Sequence, residues 1–137
     1  KYYYLLITRG RKIVTRIFLA IASMLGGISV VFGAFASHAL KDRLSANSLS
    51  IWETGTKYQM YHALALMLVA LLISRYPNST LLTVAGYAFI AGIFIFSASL
   101  YALTLTGIKW LGAITPIGGM ALIVGWLCLA IASWRIE

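Results

Sequence analysis

Acidic side chains are nearly missing from this chain: three Asp and Glu stand against 11 Lys and Arg, and charged residues of both signs make up only 10% of 137 positions. A soluble domain carries about a quarter charged residues. The shortage excludes an ordinary soluble enzyme and a disordered tail. Cysteine is equally scarce. Cys128 is alone, so neither an internal disulfide nor a metal-type cysteine spacing exists, and a secreted disulfide scaffold is excluded. Within its apolar run Cys128 reads as apolar filler. Proline occurs twice, at Pro77 and Pro116.

What is present in excess is apolar surface, 61% of residues, with a mean hydropathy of +0.91. A bilayer core about 30 Å thick needs about 20 helical residues to cross it. Four segments qualify: about Ile17–Leu40, Tyr58–Ser74, Leu81–Thr106 and Trp110–Trp134. Tyr76-Pro77-Asn78-Ser79 breaks the second from the third, with Pro ending one helix and Asn or Ser capping the next. Thr106-Gly107-Ile108-Lys109 is short enough to predict an antiparallel hairpin of the last two. The fold class expected is therefore an all-α membrane protein, a four-transmembrane-helix antiparallel bundle.

Residues 1–16, KYYYLLITRGRKIVTR, carry five basic residues and an apolar, aromatic patch too short to span. They read as a basic interfacial segment preceding one transmembrane domain over 17–137. A signal-peptide reading would need 17–36 as its apolar region, longer than the usual 7–15 or so. Basic residues set orientation. Lys1, Arg9, Arg11, Lys12, Arg16, Arg75 and Arg135 fall on one side, and Lys41, Arg43, Lys57 and Lys109 on the other. Seven against four predicts both termini inside. The net charge of +8 sits at helix ends and in loops, which points to anionic lipid as a partner and away from nucleic acid. Trp110 and Trp134 flank the fourth span as an aromatic belt would. In the connection Lys41–Lys57, Leu49, Trp52 and the Glu53/Lys57 pair suggest a short interfacial helix capped by Ser45, Asn47 or Ser48; a solvated connector is the alternative.

Small residues mark helix contacts, because lipid gives helices no hydrophobic reason to associate. Gly26 and Gly33 share a face, as do Gly118 and Gly125, which predicts contact between the first and fourth helices at mid-membrane. Pro116 removes a backbone donor and biases Thr115 away from helical angles, so a kink or a late start of the fourth helix is expected there.

No Asp, Glu, Lys or Arg lies inside any span. Proton pumps and carriers of charged substrates place ionisable groups there, so those functions lose support. A serine nucleophile is unsupported as well, since no carboxylate within a span could orient a histidine beside Ser97 or Ser99. Polar residues gather instead in the outer half: His38, Gln59, His62, Ser97, Tyr101 and Thr115 come from all four helices. They form either a site for a ligand or partner, or a structural cluster satisfying its own hydrogen bonds. His38 and His62 are expected to point into the bundle, with at least one bonded to another helix. No metal centre is expected, and neither is a cofactor, although one or both imidazoles ligating a haem or chlorin is the lesser alternative.

The segments Gly33-Ala-Phe-Ala-Ser-His38-Ala-Leu, Tyr58-Gln-Met-Tyr-His62-Ala-Leu-Ala, Phe96-Ser-Ala-Ser-Leu-Tyr101, Leu105-Thr-Gly107 and Thr115-Pro-Ile-Gly-Gly119 together resemble the YgdD/YwdK family, small bacterial inner-membrane proteins of unknown function with animal mitochondrial members. The resemblance covers about residues 15–135. Ala36 and Ala98 stand where the family often has Gly. The resemblance implies four spans in a bacterial cytoplasmic membrane, with an organelle or thylakoid-type membrane as the alternative, and brings no reaction, substrate or cofactor. Three roles follow for testing: a non-enzymatic protein that assembles with itself or serves as an accessory subunit of a membrane complex, a binder or carrier of a small neutral molecule or lipid, and a histidine-ligated cofactor subunit.

Overall fold

The computed structural model describes residues 2–135, with side chains from residue 10 onward. The tyrosine-rich start and Arg9, assigned above to the interface, lie outside the described side chains, and Lys1 outside the described residues. The described residues form four long helices: α1 (Tyr2–Phe35), closed by a π-helical turn (Ala36–Leu40), then α2 (Ala46–Arg75), α3 (Thr80–Thr106) and α4 (Leu111–Trp134). All four are long and apolar enough to cross a membrane. An even number of antiparallel crossings brings both termini out at one end, called here the terminal end. The 41–45 connection and the α3–α4 turn lie at the opposite, connection end.

The breaks follow local chemistry. Ser45 and Ser79 each cap the helix that follows, accepting a hydrogen bond from the N–H of Ser48 at 3.1 Å and of Leu82 at 3.4 Å. Gly107 ends α3 in the left-handed region, φ +70°, a conformation that costs glycine little, and its N–H returns to Leu103 O.

Two boundaries differ from the expectation. α1 does not begin near Ile17; it runs helically through residues 2–16, so the basic residues decorate its first turns. The expected short interfacial helix is not separate either. Residues 46–57 are the opening turns of a 30-residue α2, about 45 Å long and so longer than a bilayer core is thick. Trp52 explains the continuity. It is 3% exposed, donates Nε1–H to Phe32 O at 3.0 Å, and lies against Tyr101 with ring centroids 4.6 Å apart. Its apolar face is covered by protein, so this segment is held upright by α1 and α3.

The helices pack in chain order, α1 on α2, α2 on α3 and α3 on α4; among the described residues α1 and α4 form no packing seam of their own. The expected α1–α4 glycine contact is thereby corrected. A Cβ at Gly33 would meet nothing within 4 Å, and one at Gly26 only Met60 Sδ at 4.0 Å. Gly118 and Gly125 face α3 instead: a Cβ at Gly118 would lie 2.3 Å from Phe96 N, and one at Gly125 2.6 Å from Phe89 Cε1. Shared spacing identified a face of α4, and the short hairpin loop decides that α3 covers it. Pro116 sits within a continuous α4, so the regular helix does not start late; the carbonyl of Gly112 loses the N–H that residue 116 would otherwise offer. The apolar core, with Phe18, Leu66, Val69, Leu82 and Phe89 at its centre, fills the terminal half, and half-buried Cys128 packs at its margin.

The basic asymmetry makes an orientation testable. Asn47→Cys in a Cys128→Ser background should react with a membrane-impermeant maleimide added to intact cells. Reaction only after the membrane is opened would reverse the orientation.

Candidate functional site

α2 carries the polar residues at the centre of the fold, because it touches both α1 and α3. Gln59, 3% exposed, spans three helices: Nε2 donates to Leu25 O of α1 at 2.7 Å, and Oε1 accepts from the Tyr101 hydroxyl of α3 at 2.8 Å. One turn earlier, Ser97 Oγ donates to Gly55 O at 2.8 Å, and Ser29 Oγ of α1 donates to Thr56 O at 2.7 Å. Gly55 is required by Tyr101, whose ring lies flat on the helix; a Cβ there would be 2.7 Å from Cε1. Phe32, Trp52 and Tyr101 close this group toward the connection end.

Thr115 joins a second, smaller pair. Its hydroxyl lies 2.7 Å from Ser99 Oγ, linking α4 to α3. His62 forms a third. Its Nδ1 lies 2.6 Å from Tyr58 O, and its Nε2 lies 3.0 Å from the indole nitrogen of Trp126 on α4. A carbonyl only accepts and an indole N–H only donates, so the geometry fixes the Nδ1–H tautomer of a neutral imidazole. Phe89 and Trp126 pack around that ring.

His38 stands apart, and the expectation that it points inward is corrected. It lies exposed in the π-helical turn, where Ala36 and Leu40 take the inward positions against Trp52. The inward face of this helix runs through Phe18, Ala22, Leu25, Ser29, Ala36 and Leu40, and His38, two residues from each of the last two, falls on the opposite side. Thus Gln59, Tyr101 and Ser97 come together, Thr115 and His62 form separate links, and His38 belongs to none. Reasoning from sequence missed Trp126, Trp52 and Gly55. A tryptophan in the middle of a span, away from either interface, was the available signal for Trp126, since an indole N–H within a bilayer has no water to bond and needs a partner.

Chemically the arrangement is closed. Among the described residues no buried side-chain nitrogen or oxygen lacks a partner. The Nε2 lone pair of His62 is occupied by Trp126, which leaves this imidazole nothing to offer a haem iron or chlorin magnesium. Among the described residues no three His, Cys, Asp or Glu side chains come together in a way that could hold a metal.

Comparison with known proteins finds relatives for the chain as a whole. A family model described as a protein of unknown function (DUF423) matches residues 32–119. A UPF0382 membrane protein of Staphylococcus aureus (strain bovine RF122 / ET3-1) is 42% identical over 120 residues, 88% of this chain and 97% of its own length. The UPF0382 membrane protein YwdK of Bacillus subtilis (strain 168) is 40% identical over 118 residues, 86% and 96% of the two chains. A UPF0382 membrane protein of Staphylococcus epidermidis (strain ATCC 12228 / FDA PCI 1200) is 44% identical over 120 residues, with coverage of 88% and 97%. No solved structure matches the chain.

Proposed function

The chain belongs to the DUF423 family of integral membrane proteins of unknown function, and from that premise we propose that it is a non-enzymatic protein that works by helix association, as an assembling or accessory subunit of a membrane complex. One observation carries this reading: the face of α1 and its closing π-helical turn that points away from α2 bears Ala20, Ser23, Gly27, Val30, Ala34 and Ser37, all exposed. These positions alternate three and four apart, the seam of a heptad repeat, and five of the six are small. Small residues in such a seam allow another helix to approach closely, which is the main source of helix affinity in lipid. Among the described residues no helix packs on the seam, since α4 is held on α3. A carrier role through the polar cluster has less support, because the cluster's donors and acceptors bond to one another and to helix carbonyls.

The test uses Ser23→Cys in a Cys128→Ser background, oxidised in the native membrane. A band at twice the mass supports self-assembly, and a heavier mixed adduct supports an accessory role. In either case Gly27→Leu should abolish the product, because a side chain in the seam separates the helices. A monomer under all conditions, with no co-purifying protein by native mass spectrometry, overturns the proposal.

A further inference from the structure

At the terminal end the described residues gather positive charge on one helix. Arg11, Lys12 and Arg16 lie within two turns of α1, around a cavity of about 420 Å³ between α1 and the last turn of α2, walled also by Ile73, Ser74 and Pro77. Arg11 is tethered there: its guanidinium donates to Pro77 O and Asn78 Oδ1 in the α2–α3 turn. Lys12 and Arg16 are exposed, and as like charges four residues apart on one helix they destabilise it. Among the described residues no carboxylate stands at this end, since Asp42 and Glu53 both lie at the other.

We propose that this cavity binds the phosphate of an anionic phospholipid headgroup, with Arg11, Lys12 and Arg16 supplying the counter-charge. The volume is that of a small-ligand site. Position favours a lipid: the cavity lies where α1 leaves the apolar span, and Ile13 and Ile17, about half exposed on the same helix, offer acyl chains an apolar surface beside it. Arg11, held by the turn, can face a phosphate without first being ordered, and a guanidinium presents several donors to phosphate oxygens. The hydroxyls of Thr15 and Ser74 already donate to Arg11 O and Leu71 O, so recognition falls to the three cations. This site is independent of the seam on α1, and either proposal can fail without the other.

The experiment reconstitutes the full chain in mixed phosphatidylglycerol–phosphatidylcholine vesicles and reads retained lipid by native mass spectrometry after gentle extraction. The wild type should retain phosphatidylglycerol in preference to phosphatidylcholine. Lys12→Gln/Arg16→Gln, which spares the Arg11 tether, should lower that preference roughly 25-fold, at about fivefold per basic residue. Lys41→Gln/Arg43→Gln, removing equal charge at the other end, should leave it unchanged, and inorganic phosphate should not displace the lipid. Unchanged retention in the first variant, an equal loss in the second, or displacement by inorganic phosphate would each overturn the proposal, the last by making this a site for soluble phosphate.

Discussion

Gly118→Ala should destabilise the bundle by about 3 kcal/mol or more, although it adds a single methyl group. The methyl would lie 2.3 Å from Phe96 N, 2.8 Å from Phe96 Cα and 2.9 Å from Ile95 C. All three are backbone atoms of α3, so no side chain can rotate away and the two helices must part. Overpacking commonly costs about 1–3 kcal/mol where side chains can adjust, and occasionally more. Gly118→Ala belongs at the upper end because α3 and α4 are tied by a short turn and by the Ser99–Thr115 bond, which must shift with them. Gly33→Ala supplies the contrast. With nothing within 4 Å of its added methyl, it should be neutral or slightly stabilising, since alanine favours a helix over glycine by up to about 1 kcal/mol. Thermal unfolding in detergent reads both. A wild-type midpoint for Gly118→Ala, or an equal loss for Gly33→Ala, would contradict this packing.

That contrast shows what the sequence could and could not convey. The four spans, the serine caps at Ser45 and Ser79 and the glycine at the α3 end were legible, because each depends on residues close in the chain. The face bearing Gly118 and Gly125 was legible too, from spacing alone. Its partner was not: spacing orients a face, while loop length and competing contacts choose the neighbour, and the short α3–α4 turn outweighs the match to Gly26 and Gly33. The polar residues divide in the same way. Gln59, Ser97, Tyr101 and Thr115 could be placed at similar depth by counting, but their grouping could not, because it depends on which helices touch. His38 was misplaced because it was assigned by polarity and depth alone: the 3.6-residue period that buries Ser29, Ala36 and Leu40 turns His38 outward. Residues 46–57 were misread for another reason: their polar composition suited an interface, and only the contacts of Trp52 with Phe32 and Tyr101 show why the helix continues.

Gln59→Leu should cost about 2–3 kcal/mol, the largest loss expected from any one polar side chain of the cluster. Leucine occupies a similar volume, so the change removes hydrogen bonds more than packing. Two are lost, to Leu25 O on α1 and from Tyr101 on α3. Interhelical hydrogen bonds in membrane proteins average only about 0.6 kcal/mol, with a maximum near 1.7. Two average bonds would therefore give little more than 1 kcal/mol. The remainder comes from what is left behind: Tyr101, half-buried with its ring against Trp52 and Phe32, loses the acceptor of its hydroxyl, and leaving a polar group unsatisfied away from water costs about 1–3 kcal/mol. Tyr101→Phe removes that hydroxyl while keeping the ring on Gly55, so alone it should cost about 1 kcal/mol. In the Gln59→Leu/Tyr101→Phe double variant no stranded hydroxyl remains, and the loss should fall short of the sum of the two by about 1 kcal/mol or more. Chemical or thermal unfolding of the four proteins in one detergent closes the cycle. Strict additivity would mean that the two side chains do not depend on each other, and that α2 is joined to α1 and α3 by packing alone.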